Sequence, residues 1–147
     1  MDLLDWDQVI KTNLSGPFFM ARSVLGHMIE RGSGRIVNIG SFVARTGRVG
    51  QANYSAAKSG LFGLTRTLAL ETAEKGVTVN CVIPGAIETE MSSALPEHIL
   101  EAVRQTVPMH EFGTPQDVAQ AVAYLVSDQA SYLTGVFLPV AGGLVMM

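Results

Sequence analysis

Three short apolar runs leave this 147-residue chain few folds to choose from: Arg35-Ile-Val-Asn-Ile39, Val77-Thr-Val-Asn-Cys-Val-Ile83 and Val136-Phe-Leu-Pro-Val140. Each is rich in β-branched or apolar residues, each follows a glycine-containing turn, and helix-length segments separate them. Continuous runs of this kind are buried on both faces, as in parallel strands joined by crossover helices. The spacing predicts an α/β unit with three parallel strands. No composition break, repeat or low-complexity run divides the chain, so residues 1–147 read as a single unit. Thr114 as N-cap, Pro115 at the first helical position and Asp117 at the third predict a helix with Val118, Ala121, Val122 and Leu125 on one face. Asp5 with Gln8 resembles a capping box and Leu4 with Val9 a hydrophobic staple, so an earlier helix is expected to begin at Asp5. Gly32-Ser-Gly34, after a helix and before a strand, reads as a helix stop and turn.

The chemistry-bearing feature is Gln51-Ala-Asn-Tyr54-Ser-Ala-Ala-Lys58. Residues four apart share a helix face, which puts an ammonium beside a phenol. A free phenol, with a pKa of about 10, is a poor base near neutrality, and an adjacent positive charge favours its ionised form. Ser41, after the first strand, can donate a hydrogen bond to the same substrate oxygen. By itself the pattern fits a half-buried tyrosine beside a solvated lysine just as well. At about 100° per residue, Tyr54, Lys58, Leu61 and Thr65 fall on one line of the helix, with Ala56, Gly60, Gly63 and Thr67 opposite. Leu64, Leu68 and Ala57 are expected to dock on a sheet. The small-residue line predicts a helix–helix contact, either within the chain or between subunits. Upstream, Trp6, Val9, Ile10 and Asn13 share a face. Pro17, four residues after Asn13, either starts a new helix or leaves the Asn13 carbonyl without its i+4 donor in a kinked continuous one.

Taken together, the motifs identify a resemblance. Asn13 in Thr-Asn-Leu-Ser-Gly, Ser41 in Gly34-Arg-Ile-Val-Asn-Ile-Gly-Ser41, Tyr54-x-x-x-Lys58 and Val82-Ile-Pro84-Gly85-Ala-Ile87-Glu-Thr89 resemble the short-chain dehydrogenase/reductases. So do Gly113-Thr-Pro-Gln-Asp-Val-Ala, Ser127-Asp-Gln-Ala-Ser-Tyr-Leu-Thr-Gly135 and Gly142-Gly143, all in the family's order. Gly50-Gln-Ala-Asn-Tyr and the closing Gly-Gly-Leu-x-Met look most like the 3-oxoacyl carrier-protein reductases and acetoacetyl-CoA reductases. The resemblance implies the C-terminal part of a Rossmann-like, doubly wound sheet. It also implies Tyr54 as acid/base, Lys58 tuning it and holding the nicotinamide ribose, Ser41 on the substrate oxygen and Asn13 anchoring a water. Pro84, Gly85, Ile87 and Thr89 would line the nicotinamide. The implied cofactor is NADP or NAD, with NADPH favoured by the subfamily. The implied reaction is reduction of a 3-oxoacyl thioester carried by acyl carrier protein or CoA, in fatty-acid or polyhydroxyalkanoate metabolism. A homo-oligomer, tetrameric in the family, is expected through the helix around residues 51–75.

No Gly-rich turn between a strand and a helix is visible, so the N-terminal nucleotide-binding half is expected to be absent from these residues. Its absence would leave the strand at 35–39 with an unpaired edge. Three further features stand out: Glu111 where the family often has Arg, Ala141 where it often has Asp, and Pro139, which is odd for the last strand because it deletes a ladder donor. The segment Thr89 to Gly113, with Ser92-Ser93, Pro96 and Pro108 around a short helix, is expected to form a substrate lid. Three readings of the chain follow: the catalytic half of a carbonyl reductase, a non-catalytic oligomerisation module that pairs with full-length reductases, or a relic without a stable fold.

A net charge of −3 gives no electrostatic reason to expect nucleic-acid binding. No apolar run reaches the length of a membrane span, and Met-Asp-Leu-Leu-Asp lacks a basic signal-peptide start, so a cytoplasmic protein is expected. Cys81, inside a strand, reads as a small buried hydrophobe. His27, His98 and His110 lack ligand spacing, and no metal site is expected.

Overall fold

The computed structural model describes residues 1–90 and 95–147. Helix α1 (Leu3–Ile10) runs through a π-helical segment, Lys11–Ser15, into α2 (Gly16–Glu30). The strands are β1 (Gly34–Ile39), β2 (Val77–Pro84) and β3 (Phe137–Val140). Between β1 and β2 lie α3 (Val43–Thr46) and α4 (Ala52–Thr72). Helices α5 (Glu97–Thr106) and α6 (Pro115–Val126) precede β3. The expected lid segment thus contains α5, while Ser92 and Ser93 lie outside the described residues.

The strands pair in parallel in the order β1-β2-β3, with Gly34 opposite Val77 and Cys81 opposite Phe137. Central β2 is buried from Val77 to Ile83, as its unbroken apolar run predicts. Its odd residues face α2 and α4: Val79 packs with Ala21, Leu68 and Ala69, joined by Leu25, Ile36 and Leu64. Beyond them, Cys81 and Ile83 meet Phe62 and Val145. Thr78, Asn80 and Val82, on the alternate face, are buried as well, and α6 lies across all three strands. Asn80 stays satisfied there by donating to the Leu133 carbonyl and accepting from the Val136 N–H.

Local signals explain most boundaries. Gly32, at φ +67°, closes α2 in a Schellman turn, with Ser33 N–H donating to the Met28 carbonyl and Gly32 N–H to that of Ile29. Thr114 and Asp117 form the expected capping box. Helix α1, however, begins at Leu3, and its N-cap lies three residues before Asp5. Asp2 is the N-cap, its carboxylate accepting from Asp5 N–H at 2.8 Å. A side-chain acceptor at residue 2 lets the helix start earlier. Leu4 is consequently 79% exposed and forms no staple.

The α4 faces divide as expected, with Ala57, Leu61, Thr65 and Leu68 buried and Ala56, Gly63 and Thr67 exposed. The close helix contact of the small-residue line occurs at Gly60, where an added Cβ would lie 2.9 Å from Leu14 Cδ2 in the π segment. At Gly63, among the described residues, nothing beyond its own helix backbone and chain neighbours lies within 4 Å of that position.

Pro139 is not a defect of the ladder. Cys81 and Gly85 donate to the Val136 and Val140 carbonyls, so by strand alternation residues 136, 138 and 140 face β2 and 137 and 139 face outward. The missing N–H is on the open side, where proline costs no bond.

Candidate active site

Parallel strands bring their C-terminal ends to one rim, and the residues singled out in the sequence gather there. Ser41 follows β1, Pro84 ends β2 and Gly85 comes directly after it. Helix α4 sets Tyr54 and Lys58 on successive turns, with the Lys58 amine over the Tyr54 ring, 5.6 Å from its centroid. Lys58 Nζ donates to the Ile39 carbonyl at 2.8 Å, two residues before Ser41. That bond ties the lysine to the strand end that carries the serine. Among the described residues the Tyr54 hydroxyl makes no hydrogen bond, so it is available to a bound oxygen. The Ser41 Oγ accepts from Val43 N–H at 3.3 Å, and its own proton is left to donate.

Several residues not singled out from the sequence hold this arrangement. Gly40 brings β1 tightly onto the core: an added Cβ would meet Cys81 Sγ and Phe62 Cε1, each at 2.9 Å. Asn53 is buried. Its carbonyl oxygen accepts from Tyr54 N–H at 2.8 Å while its amide donates to the Asp5 carbonyl at 3.3 Å, fixing α1 against the start of α4. The available signal was an asparagine at a helix start, where side-chain-to-backbone bonds are favoured. Asn38, buried in β1, donates to Thr65 Oγ1, which donates in turn to the Leu61 carbonyl. Among the described residues, Gln51 Oε1 and Ser55 Oγ, on either side of Tyr54, are buried without a hydrogen-bond partner.

Asn13 is not drawn into this group. Its amide turns back to the Val9 carbonyl of its own helix at 3.1 Å. The helix runs continuously through Pro17 in π register, with Gly16 N–H donating to the Lys11 carbonyl. The wider turn gives room for the proline ring that would otherwise meet the carbonyl four residues back. The π segment packs on α4 through Leu14, so Asn13 stands close to that helix without a bond to Lys58. Gly85 is held by its N–H to the Val140 carbonyl, against Ala141. Ile87 pairs with Gly113 in an isolated parallel bridge, and Thr89 is exposed.

Burial lowers the Lys58 pKa from its ordinary 10.5, and the neighbouring Cys81 opposes that shift. The thiol, completely buried, is itself pushed up from 9.0 to about 11 by desolvation, with a backbone hydrogen bond from Gly40 and the charge of Lys58 opposing. Cys81 is therefore a neutral packing group at pH 7, and desolvation is what acts on Lys58.

A cleft of about 360 Å³ opens at the end of β3, lined by Met109, Glu111, Phe112 and Asp117 on one side and Pro139 to Gly142 on the other. Glu111, Pro139 and Ala141, the three unusual positions of the sequence, all line it, whereas Tyr54, Lys58 and Ser41 do not.

Residues 1–145 match the family model described as "Enoyl-(Acyl carrier protein) reductase". The chain is 48% identical to the 3-oxoacyl-(acyl-carrier-protein) reductase FabG of Aquifex aeolicus, over 98% of this chain and 58% of the relative. It is 48% identical to the FabG of Buchnera aphidicola, over 100% and 60%, and 45% identical to the acetoacetyl-CoA reductase of Allochromatium vinosum, over 99% and 59%. The chain thus spans about three fifths of the length of these curated relatives.

Proposed function

The chain belongs to the short-chain dehydrogenase/reductase family, and on that premise we propose that it carries the proton-transfer half of an NAD(P)H-dependent reductase of 3-oxoacyl thioesters. The observation behind this reading is the Lys58 amine, which lies 5.6 Å from the centre of the Tyr54 ring and donates to the Ile39 carbonyl, two residues before Ser41 at the C-terminal end of β1. That rim is where open α/β sheets bind their ligands. The matching family description names an enoyl substrate, whereas the relatives at 45–48% identity name oxoacyl or acetoacetyl ones. A carbonyl is also what a free phenol and a serine hydroxyl are suited to polarise together.

The residues present fit the nicotinamide end of the cofactor. Tyr54 offers an unbonded hydroxyl, Lys58 a half-buried amine, and Pro84, Gly85, Ile87 and Thr89 continue from β2 on the same rim. When bound, the reduced nicotinamide supplies the hydride. Ser41 donates to the ketone oxygen and orients it. Tyr54 delivers the proton to that oxygen as negative charge develops on it. Lys58 holds positive charge beside the phenol. Asn13, on the helix that packs against α4, is assigned to anchoring a water on the Lys58 side. The acyl group is presented on acyl carrier protein or CoA, NADPH is the favoured donor, and α5 covers the substrate. The exposed line of Ala56, Gly63 and Thr67 serves as the surface on which copies of the protein assemble.

The test is reduction of acetoacetyl-CoA, followed by loss of NADPH absorbance, in the assembly that shows turnover. Tyr54→Phe keeps the ring and removes only the transferable proton, so kcat should fall about 10²- to 10⁴-fold. A rate within tenfold of the unaltered protein would take Tyr54 out of the mechanism.

A further inference from the structure

Charge is spread unevenly along this chain. Residues 31–70 carry six of its ten cations, Arg31, Arg35, Arg45, Arg48, Lys58 and Arg66, and none of its thirteen acids. Arg31 and Arg35 lie around the start of β1, Arg35 3.9 Å from the Asp128 carboxylate, and Arg66 stacks on the Phe137 ring. Arg45 and Arg48 belong to the other end of the sheet. They sit in the connection from Ser41 to Tyr54, both exposed, and among the described residues neither makes a salt bridge. The Arg45 guanidinium meets the Met147 sulfur at 3.5 Å, a weak acceptor that leaves its other donors free. The connection that carries them is well defined. Gly47 at φ +66° ends α3, and Gly50 at φ +81° precedes Gln51, whose N–H donates to the Arg48 carbonyl at 3.0 Å. Both glycines supply the left-handed backbone that the turn requires. Ser59 Oγ, next to Lys58, donates to the Ala44 carbonyl at 2.9 Å and fixes the base of the loop on α4.

We propose that Arg45 and Arg48 bind the phosphate of the pantetheine arm common to CoA and acyl carrier protein, and so position the thioester whose ketone Ser41 and Tyr54 address. The identity of the substrate is taken from the reductase reading, on which this inference rests. Both carriers hold the acyl group on a thiol at one end of that arm and bear a phosphate at the other. A group that binds the phosphate therefore stands back from the reacting carbonyl on the same rim. A loop that leaves Ser41 and returns to Tyr54 places its cations there. Each guanidinium can give a phosphate two parallel N–H donors, and no acid of the segment competes for them. Val49, one residue from Arg48, is fully exposed and offers an apolar surface to the methyl groups beside the phosphate. Because the phosphate takes no part in the chemistry, the contact is equally strong before and during reaction and acts on binding rather than on kcat.

The probes are pantetheine 4′-phosphate and pantetheine, which differ only in the phosphate. Each is titrated into the full 147-residue chain and followed by the amide resonances of Gly47, Val49 and Gly50. The phosphorylated compound should bind about tenfold more tightly, and the difference should shrink as salt is raised from about 20 to about 200 mM. The double variant Arg45→Gln/Arg48→Gln, altered at two exposed positions, should bring the two compounds within about twofold of each other. Acetoacetyl-CoA and acetoacetyl acyl carrier protein share the phosphate, so the double variant should weaken the binding of both by about tenfold. Loss confined to CoA would assign the arginines to its nucleotide phosphates, and loss confined to acyl carrier protein to the carrier's surface; either would overturn the proposal. So would equal affinities for the two probes, a preference that survives the double variant, or inorganic phosphate that binds as tightly as pantetheine 4′-phosphate. The readout is binding alone, which separates the two readings. A phosphate preference without reduction of acetoacetyl-CoA would sink the reductase reading and leave the site standing, whereas reduction without the preference would sink the site alone.

Discussion

Raising the pH from 8.5 to 11 should destabilise this fold through one buried thiol. Cys81 sits at the centre of the sheet, fully buried against Phe62 and Ile83, and desolvation raises its pKa from 9.0 to about 11. Between those values the folded chain retains a proton that the unfolded chain releases. The stabilisation is fully present below pH 9 and fades as the pH passes 11. At about 1.4 kcal/mol per tenfold change in proton affinity, the whole effect approaches 3 kcal/mol, of which about 2 kcal/mol is lost by pH 11. Lys58 works in the opposite direction. Its depressed pKa means that the unfolded chain binds more protons between that value and 10.5, so its contribution improves as the pH rises through the same region. Other alkaline groups add to the total, so the informative quantity is a difference. Urea unfolding followed by circular dichroism, on the unaltered chain and on Cys81→Ala, should give stability curves that converge by about 2 kcal/mol from pH 8.5 to 11. The packing lost with the side chain is a constant offset. Curves that stay parallel over this range would show that Cys81 is hydrated in the folded state and would refute the argument.

Two further predictions concern the frame around the site. Thr65→Val preserves shape but removes the acceptor of the buried Asn38 amide, and should cost about 1–3 kcal/mol in urea unfolding. Adding Asn38→Leu should recover part of that loss, and a cost below about 0.5 kcal/mol would mean that the amide finds another partner. Gly76 and Gly26 should respond with opposite signs to alanine. Gly76 has φ +71° and an added Cβ would fall 2.1 Å from the Gly32 carbonyl oxygen, so Gly76→Ala should cost more than about 3 kcal/mol or prevent folding. Gly26, inside α2 with open space around it, should gain about 0.5–1 kcal/mol. Equal thermal midpoints for the two variants would contradict the turn geometry.

The strands and α6 were legible because their signals are local. An unbroken apolar run marks β2, and Thr114, Pro115 and Asp117 determine a helix start within three residues. The Tyr54–Lys58 pair follows from helical period alone. The N-cap of the first helix was misplaced by three residues because Asp5-x-x-Gln8 and Asp2-x-x-Asp5 offer competing caps, and only the extended backbone at Asp2 decides between them. The π register around Asn13 was illegible for a similar reason. Pro17 permits either a break or a widened turn, and the packing of Leu14 on Gly60 accompanies the second. Asn38, Gly40 and Asn53 carry no periodic signal, since each is defined by a partner from another element.

What the sequence alone determined, then, is the set of elements, their parallel α/β arrangement and the pairing of a phenol with an amine one turn apart. Tertiary structure decided where that amine goes. The Ile39 carbonyl lies 19 residues from Lys58 along the chain, and it is open to the lysine because β1 forms the outer edge of the described sheet. Tertiary structure also turned Pro139 from an apparent fault into an edge device, because the direction of a backbone nitrogen is fixed by which neighbour a strand pairs with. Periodicity can place a residue on a face; only the packed chain says what stands opposite it.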